Sequence, residues 1–145
     1  DTRFGKASDF AAQMEEITGH PVLHTLVDTE PIGPKRMFDL LIVAPCTGNT
    51  LAKLALGIVD TPVTMAVKSH LRNSRPVVIA VSTNDALSNS AKNIGALMNR
   101  KNYYFVPYRQ DNPITKPRSL VFDPEYIIKT IKYAFEGEQI QPILL

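Results

Sequence analysis

The sequence predicts an α/β fold built on an open, parallel, doubly wound sheet, and two observations carry that prediction. The first is a pair of continuous apolar runs of strand length, Leu40 to Ala44 and Val77 to Val81, the form taken by strands that helices cover on both faces. The second is that helical patterns separate these runs and recur before a third, Tyr103 to Val106, so the chain alternates strand, loop, helix and strand. A length of 145 residues with 44% apolar content suits a single domain, 1–145, with one sizeable core.

Each element has a local reason. Ser8 suits the cap of a helix that carries Phe10, Met14 and Ile17 at helical spacing and stops at Gly19 and Pro21. Val22 to Leu26 reads as a short strand, and Pro31, Gly33 and Pro34 punctuate the loop before Leu40. A helix is expected over about Asn49 to Gly57. The next begins at Thr61-Pro62, a cap followed by proline in the first turn, with Val63, Val67 and Leu71 on one face. A further helix from about Asn89 to Arg100 carries Ile94, Leu97 and Met98. Pro107 to Ser119 reads as a proline-bearing loop, long enough to suggest a functional role. Asp123-Pro124 opens a last helix that buries Ile127, Ile128, Ile131 and Phe135 and closes at Gly137.

Composition removes several classes of function. A formal charge of +2, from 16 basic and 14 acidic residues without a block of either sign, leaves no electrostatic footprint of a nucleic-acid or membrane binder. One cysteine precludes an internal disulfide framework, and no apolar run approaches the roughly 18 residues of a membrane helix, so a cytoplasmic location is expected. His20, His24 and His70 lack metal-ligand spacing, and no metal site is expected. The chain begins at Asp1 without methionine, so natural sequence is expected to precede it.

In open α/β sheets, ligands bind beyond the carboxyl ends of the strands, where helix N-termini also point. Three segments fall there: "PCTGNT", "STNDAL" and "PYRQDNPITKPRS". The first two each place threonine and asparagine after an apolar strand. Amide N–H groups near Asn49 attract anions, Gly48 permits close approach to the main chain, and the Thr47 and Thr50 hydroxyls can bond phosphate or ring oxygens. The stretch therefore suits a nucleotide-like ligand, although Thr47, Asn49 or Thr50 can equally serve as a helix cap. No G-x-G-x-x-G or G-x-x-x-x-G-K-[ST] pattern is present. Arg109, Lys116 and Arg118 can close over a carboxylated substrate or simply face solvent. Cys46 stands at the start of the polar turn, either against a ligand or as a small packing residue. Asp85 is better placed than Asp39 for acid–base work, but no partner is identifiable, so no catalytic residue is assigned.

These residues also carry a resemblance. "LIVAPCTGNTLAKLALGIVDTPVT" is similar to the segment of the flavin-binding cysteine decarboxylase and phosphopantothenoylcysteine decarboxylase family that reads proline, alanine, serine, alanine, asparagine, threonine before an "AK" helix. "RPVVIAVSTNDAL" resembles that family's second motif, and "KNIGALMNRKNYYFVP" falls where its next helix and strand lie. Over the whole chain, "DTRFG", "EEITG", "EPIGPK", "AVSTNDAL" and "YFVPYRQDNPITKP" resemble the flavoprotein-like B subunits of dipicolinate synthases.

The resemblance implies a flavodoxin-like three-layer α/β/α fold whose first βα unit precedes this chain, a homo-oligomer, and an FMN site. By position, Cys46, Thr47, Gly48, Asn49 and Thr50 would line the flavin, with Ser82 and Thr83 at its ring. Asn84 would bind a substrate carboxylate, alongside Asp85 and Arg109. The implied reaction is oxidation of dihydrodipicolinate to dipicolinate together with the NADP-binding A subunit of dipicolinate synthase, in the mother-cell cytoplasm of a spore-forming bacterium. Two departures are plain: "TEPIGPKRMFD" lacks the histidine of the decarboxylases, and Val81, Ser82 and Thr83 replace proline, x and methionine. The other readings are an autonomous FMN-dependent decarboxylase, a flavin prenyltransferase and a cofactor-free structural partner subunit.

Overall fold

The structure, a computed structural model, describes residues 4–145. At its centre β2 (Val77–Thr83) lies between β1 (Leu41–Cys46) and β3 (Tyr103–Phe105), parallel to both, with Leu41 and Tyr103 flanking Val77 and Val43 and Phe105 flanking Ile79. The residues from Val77 to Val81 are 0% exposed, as a strand covered on both faces requires.

Alternation along β2 feeds two separate cores, one on each face of the sheet. Val77, Ile79 and Val81 pack with Leu51 and Leu54 of α3 (Gly48–Leu56), Val67 of α4 (Pro62–Leu71) and Ile94 and Leu97 of α5 (Ala91–Met98). Val78 and Ala80 turn the other way and pack with Ile131 and Ala134 of α6 (Ile127–Phe135). Thr61 and Thr64 form a reciprocal capping box ahead of Pro62, which explains where α4 starts.

Four expectations require correction. The segment from Pro107 to Ser119 is not a loop: it contains β4 (Tyr108–Asn112) and enters β5 (Lys116–Phe122), an antiparallel hairpin. Asn112 Oδ1 accepts the Ile114 and Thr115 amides at 3.0 and 2.9 Å and shapes the turn. β5 pairs antiparallel with the last residues of β2, Val121 opposite Ser82 and Leu120 opposite Thr83, so the parallel sheet gains an antiparallel extension at its carboxyl edge.

Val22 to Leu26 forms no strand; a capping box between Thr25 and Asp28 instead starts the short helix α2 (Leu26–Thr29). The first helix, α1 (Ala7–Thr18), follows Lys6 without a side-chain cap, so Ser8 lies inside it, and none of its residues is buried. Val63, Ile128 and Phe135 are exposed, because the buried stripes of α4 and α6 run through Thr64 and Val67 and through Thr130 and Ala134.

Candidate functional site

The carboxyl ends of β1 and β2 bring the two polar loops to one edge. Thr47 is the N-cap of α3 with extended backbone (φ −79, ψ 163), yet its hydroxyl caps no amide and instead donates to Thr50 Oγ1 at 3.4 Å. Capping does not account for Thr47, and the start of α3 has no side-chain cap from it. Thr47 and Asn49 are exposed and Thr50 is half-buried.

Cys46 belongs to the core: it is 0% exposed and packs with Val43, Leu51 and Val81, leaving its side chain away from the loop surface. Burial pushes its thiol up to about 12, so it stays protonated and unreactive at neutral pH.

The loop after β2 is organised by Asp85. The Thr83 and Ser90 hydroxyls both donate to Asp85 Oδ1, at 2.7 and 2.8 Å. Those two bonds, Thr83's the larger, hold the carboxyl below its ordinary range, so it is ionised. The turn closes as Asp85 O accepts the Ser88 and Ser90 amides.

A cavity of about 420 Å³ opens between this strand end and the hairpin. Ser82, Thr83 and Asn84 line one side; Asp111, Lys116 and Ser119 line the other, over Leu120 and Val121. Lys116 Nζ lies 2.6 Å from Asp111 Oδ2, a pair exposed enough to be held only weakly. The structure therefore joins the predicted Ser82, Thr83 and Asn84 to three hairpin residues. Of these, Asp111 and Ser119 carry no signal in the sequence: only the folding of the hairpin back on β2 brings them to the site. Arg109 is not among the lining residues; its guanidinium pairs with Asp123, whose other oxygen caps the Glu125 amide. A larger cavity, about 520 Å³, lies where β3 begins, beside Asn102 and Tyr103, at the opposite end of the strand from the polar loops.

A family model described as Flavoprotein matches residues 5–131. The B subunit of dipicolinate synthase from Bacillus subtilis (strain 168) is 43% identical over 145 residues, covering 100% of this chain and 72% of the relative. The crystal structure of the dipicolinate synthase B subunit from Bacillus halodurans superimposes with a TM-score of 0.93 at 46% identity, covering 100% of this chain and 74% of that one. The structure of an FMN-dependent cysteine decarboxylase superimposes with a TM-score of 0.64 at 25% identity, over 86% of this chain and 71% of that one. The mixed α/β sheet with helices on both faces is thus the flavodoxin-like arrangement of these neighbours, and the chain belongs to the Flavoprotein family.

Proposed function

We propose that this chain is the flavoprotein-like subunit of a dipicolinate synthase, working with a nicotinamide-binding A subunit to oxidise dihydrodipicolinate to dipicolinate. The observation that carries the reading is 43% identity over the full chain, loops and hairpin included, to a B subunit of that enzyme. In this reaction the substrate loses a hydride and a proton as its ring becomes aromatic, and NADP on the A subunit takes the hydride. This chain contains no G-x-G-x-x-G loop of its own, in keeping with that division of labour.

The residues at the strand ends fit a flavin. The start of α3 lacks a cap from Thr47, the exposed Thr47 and Asn49 stand there beside Thr50, and Ser82 and Thr83 border an open polar cavity. Thr47, Gly48, Asn49 and Thr50 would hold FMN, with the Cys46 contribution limited to its main chain, and Ser82 and Thr83 would face the ring. Bound FMN supplies electron-transfer chemistry. Asn84 and Lys116, on opposite sides of the cavity, would orient a small dicarboxylate. Asp85 is committed to two hydroxyls and Arg109 to Asp123, so substrate carboxylates are left to Asn84 and Lys116.

Reconstitution with the purified nicotinamide-binding partner tests the reading. Stable copurification, and dipicolinate formation that requires this chain, are the expected results; full synthase activity in its absence would contradict it. The likeness to an FMN-dependent cysteine decarboxylase supports a second reading, an autonomous decarboxylase, for which carbon dioxide release by this protein alone is the test.

A further inference from the structure

The ladder between β4 and β5 slips at one point. Gln110 stands opposite Leu120 and Asn112 opposite Lys116, so Asp111 of β4 faces the three residues of β5 from Pro117 to Ser119. Bulges of this kind re-aim side chains, and they recur beside active sites. This one is fixed from two directions: Gln110 Nε2 donates to Pro117 O at 3.0 Å, and the Leu87 amide, in the loop after β2, donates to Arg118 O at 3.0 Å. The two charged residues at the slip, Asp111 and Lys116, both line the cavity of about 420 Å³, across from Asn84.

Asp111 is the one carboxylate among the described residues that line this cavity. Lys116 Nζ bonds its Oδ2 at 2.6 Å, and Oδ1 has no hydrogen-bond partner among the described residues. The nearby carboxylates are otherwise engaged, Asp85 by the Thr83 and Ser90 hydroxyls and Asp123 by Arg109 and the Glu125 amide. We propose that Asp111 is the base that takes the ring proton when dihydrodipicolinate is oxidised in this cavity, with Oδ1 as the accepting atom. This rests on the reading of the chain as a synthase subunit. In the step, the ring CH gives up its hydrogen with the bonding pair, as hydride, to NADP on the A subunit. The adjacent CH2 loses a proton to Asp111 Oδ1, and the electron pair of that C–H bond becomes the π bond that completes the aromatic ring. Asp111 is exposed, so the proton then passes to water.

The synthase reconstituted from this chain and its nicotinamide-binding partner tests the assignment through Asp111→Asn and Asp111→Ala. Loss of a general base costs about 10²–10⁴ in rate, so kcat in both variants should fall at least about 100-fold while KM stays within about threefold. Formate should restore part of the Asp111→Ala rate in proportion to its concentration, a rescue that loss of a merely structural contact would not show. Melting temperatures should hardly move, because the Asp111–Lys116 pair is exposed. An active unmodified complex with kcat within about threefold in Asp111→Asn would overturn the proposal and leave the synthase reading standing. A fall in kcat that formate does not relieve would also overturn it, and no dipicolinate from the unmodified complex would overturn both.

Discussion

Gly48 and Asp85 meet so closely that a methyl group on Gly48 would lie 2.9 Å from the carboxylate oxygen. The contact ties the loop after β1 to the loop after β2, and through Ser90 to the start of α5. Glycine at this position therefore lets the two loops approach this closely.

Gly48→Ala should destabilise the protein. Overpacking costs about 1–3 kcal/mol, and the better helix propensity of alanine returns at most about 1 kcal/mol. A net loss of about 1–2 kcal/mol is expected in urea unfolding, with a disturbed loop after β2.

Stability should fall on mild acidification because of His70. The residue is 1% exposed; its Nε2 lies 3.1 Å from Pro76 O, and Nδ1 has no hydrogen-bond partner among the described residues. Burial, aided by the Arg75 charge, lowers its pKa below the ordinary 6.5, against the opposing pull of the Pro76 carbonyl and Asp39. Between the lowered folded value and 6.5 the unfolded chain binds the proton more readily, so stability is present above that window and is lost as pH falls through it. Unfolding measured across this range should show the slope, and His70→Gln should flatten it.

The free edge of β3 depends on a side chain. Gln139 Oε1 accepts the Phe105 amide at 2.7 Å, and its Nε2 donates to Phe105 O at 2.7 Å, as a neighbouring strand would. Gln139→Leu strands both backbone groups of a residue that is 0% exposed. At about 1–3 kcal/mol for each of the two unpaired groups, the expected loss is about 2–6 kcal/mol, read from the urea midpoint.

Lys116→Ala separates function from stability. The Lys116–Asp111 pair is exposed and contributes little to folding, so the melting temperature should hardly move. If the cavity takes a dicarboxylate, KM in the reconstituted synthase should rise about tenfold, as loss of one charge-assisted contact implies.

What the sequence made legible follows physical lines. Val77 to Val81 is buried on both faces, so its apolar run identified β2 without reference to any partner. The hairpin was hidden because most of β4 and the first half of β5 are exposed: Arg109 to Asn112 and Lys116 to Arg118 show no apolar alternation, and Pro117 adds a loop signal. Val22 to Leu26 had the composition of a strand, but the reciprocal bonds of Thr25 and Asp28 start a helix at Leu26. At the site, the residue types at Thr47 to Thr50 and Ser82 to Asp85 were legible from sequence. Their hydrogen-bond directions were not, because the commitment of Thr83 and Ser90 to Asp85 depends on the loop's path.

The most direct test of the account is the visible absorption of full-length protein as FMN is added, repeated with Asn49→Ala and Thr50→Ala. A perturbed, saturating flavin band that weakens in both variants while their folding is retained is the predicted result. Absence of any FMN uptake by the unmodified protein, alone and with its nicotinamide-binding partner, would contradict the assignment of these strand-end loops as a flavin site.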